Sequence, residues 1–234
     1  MHTAQIVRAV RQRGYMNPES LIIEQTKDWA ILKKGKSLCI RFNDAIGYVN
    51  RNNLKNSGLH QRVSNIIIYS FYLDRIYRSG GFKVHGCGIR GRYGGYLFIG
   101  PSGAGKSTIA SLINNKKLVI NDDEIVITKN GSRFVMLGIV GGDDVSNFTV
   151  IKYKLNKIFF LKKSDCNKVT PLKQIDSLLY ILKNSKWSFA GRLIDKRKFL
   201  RTCLELTKRL PCYLLGFLPS RSIWRDLNNI NFYK

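Results

Sequence analysis

Residues Gly100, Pro101, Ser102, Gly103, Ala104, Gly105, Lys106, Ser107 and Thr108 fill every position of the pattern G-x-x-x-x-G-K-[ST]. They follow an apolar run at residues 96–99 and precede a segment with helical spacing, which is the strand, glycine-rich loop and helix order that a phosphate-binding P-loop requires. Glycines let successive backbone amides turn toward phosphate oxygens, a lysine at position 106 reaches the β and γ oxygens, and the hydroxyl of Ser107 is placed to ligate magnesium. An ordinary glycine-rich turn needs neither that lysine nor that hydroxyl. The chain is therefore expected to bind ATP with Mg2+ through residues 100–108.

A second feature lies a short helix and a strand further on. Asn121, Asp122, Asp123 and Glu124 follow the apolar residues 118–120 in a chain that holds 15 acidic residues against 40 Lys plus Arg. Adjacent carboxylates repel one another unless a cation or a proton-transfer role compensates. One of Asp122 and Asp123 can hold a metal and the other accept the proton of an attacking hydroxyl. Asp143 and Asp144, which follow Gly141 and Gly142, read equally as an exposed glycine turn. His85 stands on the strand before the loop strand, and on residue type alone it is a structural histidine. Arg90 and Arg92, at the hairpin tip, read as solvated cations rather than phosphate ligands.

Period-two and period-3.6 patterns set the expected architecture. Residues 1–19 suggest a peripheral arm that stops at Asn17 and Pro18, and short apolar runs between residues 21 and 49 suggest a small β-meander. A helix is expected up to Ser79, Gly80 and Gly81, then a hairpin of residues 82–89 and 96–99, a helix over 105–114, and strands at 118–120, 125–128 and 133–137. The last third reads as a strand at 157–161, a helix beginning at Thr170 and Pro171 and running to Lys183, a helix over 192–209, a strand at 213–217 and a short terminal helix. The sum is an α/β (α+β) fold with a mixed, largely antiparallel sheet. Residues 1–58 form the arm and small β-rich segment, and residues 59–234 form the P-loop domain.

Three words in this order, residues 81–86 (GFKVHG), 96–108 (YLFIGPSGAGKST) and 118–126 (LVINDDEIV), resemble the kinase domain of HPr kinase/phosphorylase. The P-loop fold of that family is similar to that of phosphoenolpyruvate carboxykinase. The resemblance implies that Lys106 and Ser107 serve ATP and magnesium, that Asp122 and Asp123 supply metal binding and the general base, and that His85 assists near the γ-phosphate. It implies a serine kinase acting on a protein or peptide. The bifunctional members carry glutamate after the GKS triplet, where this chain has Thr108, and a large N-terminal domain in place of the short segment here. The chain looks more like the shorter, stand-alone HPr kinase-like proteins, some of which phosphorylate precursor peptides of natural products. ABC ATPases share the loop but need an LSGGQ-type signature that is lacking here, and guanylate kinases begin at the loop.

Composition narrows what remains. Five cysteines without CxxC spacing and three histidines support neither a disulfide framework nor a structural zinc site, so free thiols in a reducing cytoplasm are expected. No apolar run approaches the roughly 20 residues of a membrane span. The formal charge of +25 attracts polyanions in general. The densest basic stretches, residues 152–163 and 192–209, lack a nucleic-acid motif and read as a solvated basic face rather than as a surface for nucleic acid, an acidic protein or another polyanion, so nucleic acid is not a favoured partner. Two alternatives to a serine kinase stand beside it: a nucleotide-switched regulatory or nucleic-acid-binding module, and a small-molecule kinase on the same fold. A homo-oligomer is left open.

Overall fold

The computed structural model describes residues 22–25, 30–34, 37–42, 47–49, 73, 76–91, 94–113, 115–140, 149–186, 195–220 and 222–229. The expected arm over residues 1–19, the boundary at residues 58 and 59, most of the helix before Gly80, and Arg92, Asp143 and Asp144 lie outside these described residues. The chain divides into two compact units, Met1–Arg75 with Gly141–Phe148 and Ile76–Val140 with Thr149–Lys234.

In the first unit, β1 (Ile22–Gln25), β2 (Ala30–Lys34), β3 (Ser37–Phe42) and β4 (Gly47–Val49) form an antiparallel sheet in sequential order. Each strand is joined to the next by a short connection, as the apolar runs and polar turns led one to expect.

The second unit is built on one large mixed sheet. Its strands are β5 (Phe82–Gly91), β6 (Gly94–Ile99), β7 (Val119–Asn121), β8 (Glu124–Asn130), β9 (Arg133–Val140), β10 (Thr149–Lys163), β11 (Lys168–Pro171), β12 (Ser185–Lys186) and β13 (Cys212–Phe217). The order is β11-β13-β10-β6-β5-β8-β9, with β7 and β12 each paired to β5. β10 runs parallel to both β6 and β13, and the remaining pairings are antiparallel. Among the described residues the unit also holds the helices α1 (Lys106–Ser111), α2 (Gln174–Asn184), α3 (Lys196–Arg209) and α4 (Ser222–Asn229).

Strand parity sorts the core into two. In β6, Leu97 and Ile99 join a cluster with Phe199 and Leu206 of α3 and Leu178 and Ile181 of α2. Tyr96 and Phe98 point the other way, into a cluster with Ile109 of α1 and Ile223 and Leu227 of α4. β10 repeats the division, with Ile158 and Phe160 on the first side and Phe159 and Leu161 on the second. Helices therefore cover both faces, which is why the central strands read as continuous apolar runs instead of alternating ones. Phe159 stacks between Phe98 at 5.1 Å and Tyr213 at 5.4 Å, tying three neighbouring strands. Each such fully buried ring contributes about 1.5–3 kcal/mol through removal of apolar surface from water.

Several expected boundaries need correcting. β10 starts at Thr149, well before residue 157, because Ile151, Tyr153 and Leu155 alternate with Lys152 and Lys154 while this half of the strand pairs with β9. The helix expected from Thr170 begins instead at Gln174. Residues Lys168–Pro171 pair with β13, and Pro171 ends an edge strand where its missing N–H costs no ladder bond. The helix expected from 192 is described from Lys196, where the Asp195 carboxylate accepts from the amides of Arg197 and Lys198. The observed α1 is also short, ending at Ser111.

Candidate functional site

β6 ends at Ile99, and the chain turns at once through residues 100–105 into α1. Gly103 and Gly105 hold φ of +76° and +103°, a left-handed backbone that side chains with a Cβ rarely adopt. Gly105 is constrained twice, since a Cβ there would stand 2.8 Å from the ring of Phe217 on β13. At Gly103 nothing lies within 4 Å of the equivalent point, so this side of the loop is open. Ala104 is buried and its amide donates to the Pro101 carbonyl at 3.2 Å, which draws the loop into a tight turn.

Lys106 occupies the centre of that turn. It is 5% exposed, and its Nζ donates to the carbonyl oxygens of Gly100 at 2.9 Å and Pro101 at 2.8 Å. A buried ammonium costs several kcal/mol unless its donors are satisfied, so these two bonds hold the cation where the chain needs it. Ser102 and Ser107 are exposed and Thr108 is half-buried.

β5 connects this loop to the acidic turn. Gly86 pairs with Ile99 on one side, and on the other its amide donates to the Asp123 carbonyl at 3.0 Å. The loop's entry and the acidic turn thus flank a single strand, about 10 Å apart at two strand spacings. Next along β5, His85 Nε2 lies 2.8 Å from Asp123 Oδ1. The turn itself is shaped by Asn121, whose side-chain oxygen accepts from the amides of Asp123 at 2.9 Å and Glu124 at 3.0 Å. That local bond is a standard device of Asn in tight turns. Glu124, the third acid of the run, meets Lys83 Nζ at 2.7 Å across β5 and β8.

Cys87 is a buried residue of β5. Burial pushes its thiol up from 9.0 to about 12, the Asp122 carboxylate adds to the rise, and the Lys106 ammonium opposes it. The structure places His85 against Asp123 and leaves both carboxylates of the pair exposed. Arg90 stands opposite Gly95, at the hairpin end away from Gly100, with its guanidinium 5.6 Å from the centre of the Tyr153 ring.

Two clefts open beside the loop. The first, about 740 Å³, is bounded by Gly103, Gly105 and Thr108 and by Lys162, Lys163 and Lys168. The second, about 410 Å³, reaches from His85, Gly100 and Pro101 to Lys162, Tyr180 and Lys183. Lys162, Lys183 and Tyr180 escaped the sequence analysis. The signal for Lys162 was present in the alternation along β10, but a cluster of lysines reads as general basicity until its strand is recognised.

Among the described residues no three His, Cys, Asp or Glu side chains gather as a metal cluster. Ser107, Asp122 and Asp123 offer exposed oxygen donors. Magnesium takes one or two carboxylates and fills its shell with water and phosphate oxygens, so this donor set suits a cation that arrives with a nucleotide. No helix among the described residues is long and apolar enough to cross a membrane, and the four described cysteines are all free.

Residues 59–230 match the family described as SynChlorMet cassette protein ScmC. No curated protein matches the chain. Among solved structures, the Hpr(Ser) kinase/phosphatase from Coxiella burnetii is similar over 62% of this chain and 95% of its own, with 14% identity and a TM-score of 0.34.

Proposed function

We propose that this chain, which belongs to the SynChlorMet cassette protein ScmC family, is a kinase that transfers the γ-phosphoryl group of ATP to a serine hydroxyl of a peptide or protein. The observation that carries the proposal is the pairing of His85 with Asp123 on the strand bonded to the loop that seats Lys106. A cation set in a glycine loop and a carboxylate held by a histidine are the two elements that phosphoryl transfer asks of a protein: charge neutralisation and a proton acceptor.

ATP and magnesium, when bound, supply the phosphoryl group and the cation that offsets its charge. The backbone of residues 100–105 and Lys106 would hold the phosphates, and Ser107 with Asp122 would hold the metal. Asp123, oriented by His85, accepts the hydroxyl proton as the serine oxygen bonds to phosphorus and the bond to the departing ADP oxygen breaks. Thr108, where the bifunctional relatives of the resembled family carry glutamate, favours the forward kinase reaction.

Incubating the protein with labelled ATP, magnesium and a panel of serine peptides and metabolites tests the proposal, with the products read by mass spectrometry. Phosphoserine that forms with the native chain and not with Lys106→Ala supports it. Transfer that persists in Lys106→Ala overturns the role of the loop, and transfer to metabolites alone makes the enzyme a small-molecule kinase.

The charge of +25 favours a second reading, in which nucleotide occupancy switches a nucleic-acid-binding surface. Binding to a nonspecific duplex that is absent at near-physiological salt removes it.

A further inference from the structure

The second cleft has a character of its own. Ile99, Phe160 and Tyr180 give it an apolar floor, with the Phe160 and Tyr180 rings stacked 4.9 Å apart, and Lys162 and Lys183 stand exposed on its rim. Among its lining residues there is no Asp or Glu. Its geometry relative to His85 is fixed by backbone: Ser185, which follows α2, pairs with Val84 on β5, so the end of α2 that bears Lys183 is bonded to the strand beside His85. Two ammonium groups over an apolar floor, in a chain of charge +25, favour a ligand that is both acidic and partly apolar. A volume of about 410 Å³ accommodates a few side chains, within the range usual for ligand pockets. Nucleic acid suits it poorly, because the one aromatic available for stacking, Tyr180, already lies on Phe160.

We infer that this cleft is an acceptor subsite for an acidic peptide, in which carboxylates flanking the acceptor serine are held by Lys162 and Lys183 while the serine hydroxyl faces His85 and Asp123. The position of the hydroxyl rests on the kinase assignment above. Recognition of the flanking carboxylates does not, and it can be read by binding alone.

The test uses fluorescence anisotropy of a labelled Glu-Glu-Ser-Glu-Glu peptide and its Gln-Gln-Ser-Gln-Gln counterpart with the full chain. Lys183→Glu is compared with Lys208→Glu, which reverses another exposed charge, on α3. The acidic peptide is expected to bind about tenfold or more tighter than the neutral one, and Lys183→Glu is expected to erase that difference, as loss of a charge-assisted contact would. Lys208→Glu should leave most of it in place. Equal losses in the two variants would show that bulk charge alone attracts the peptide, and would overturn the inference. So would an unchanged affinity in Lys183→Glu, or displacement of the peptide by a short single-stranded oligonucleotide at equal charge. An ATP analogue bound equally by the native chain and Lys183→Glu shows that the variant is folded. Should peptide binding follow the expected pattern while no peptide is ever phosphorylated, the subsite stands and the kinase assignment falls.

Discussion

His85 on β5 and Asp123 in the turn before β8 meet at 2.8 Å, while the backbone of Asp123 is fixed to the next residue of β5 by the Gly86 amide at 3.0 Å. The carboxylate is thus positioned by side chain and main chain together, yet remains 68% exposed and open to a substrate. Asp123→Asn keeps the shape and removes the proposed proton acceptor. Transfer should fall by about 100-fold to 10,000-fold with ATP affinity nearly unchanged. His85→Gln should cost less, and the double variant should be no worse than Asp123→Asn, because His85 acts through Asp123. Steady-state transfer rates and calorimetric ATP binding check both; additive losses would mean that the histidine acts on its own.

Lys106 is enclosed by the loop it serves, bonded to Gly100 and Pro101. Lys106→Ala should lower transfer by about 100-fold or more, through loss of the charge clamp on the phosphoryl group. Lys106→Arg should not rescue it, since a planar guanidinium cannot make the same two bonds within a 5% exposed site. Circular dichroism melting of both variants separates lost chemistry from lost folding.

Gly105 and Gly103 share a positive φ but not a neighbourhood. Gly103→Ala should cost about 1–2 kcal/mol, the backbone penalty alone. Gly105→Ala should cost more, because its new methyl also meets the Phe217 ring. Urea unfolding midpoints measure the difference, and equal costs would mean that the contact with Phe217 yields freely.

Thiol chemistry should divide the four described cysteines. Cys166 is exposed, whereas Cys87, Cys203 and Cys212 are buried, and burial pushes Cys212 up to about 11 and Cys203 higher still. In the native protein, Cys166→Ser should remove the one accessible thiol among the four described cysteines, while those three react only after unfolding.

The same shifts set a pH dependence. Unfolded, Cys87 loses its proton near 9.0; folded, it keeps the proton to about 12. Between those values the unfolded chain binds fewer protons, so stability is full below pH 9 and falls as pH rises toward 12. Urea midpoints taken across that window should decline, and Cys87→Ala should flatten part of the slope.

The loop and the hairpin before it were legible because their chemistry is local. Glycines at 103 and 105 mark positions where the backbone is left-handed, and that requirement is written in residue type. The mixed sheet was legible too, from the apolar runs at residues 82–89, 96–99 and 213–217. β10 was half missed because lysines at 152 and 154 were taken as charge rather than as the outward half of an alternation. Thr170 and Pro171 were read as a helix start, when pairing with β13 decides otherwise. Which of the two aspartates meets His85 could not be read from spacing, for it depends on the register of β8 against β5 and on the turn made by Asn121. Lys162 and Lys183 come together only through the parallel pairing of β10 with β6 and the pairing of β12 with β5, contacts far apart along the chain.

The place of β6 between β5 and β10 also orders events during synthesis. β5 leaves the ribosome just ahead of β6 and can pair with it at once, but the parallel partner arrives only when residues 155–160 have been made, and β13 later still. Until then residues 96–99, the apolar strand leading into the loop, present an open edge of the kind that nascent chains aggregate through. Early in its life the emerging chain thus carries an unpaired apolar edge, and that edge is the strand on which the loop is mounted.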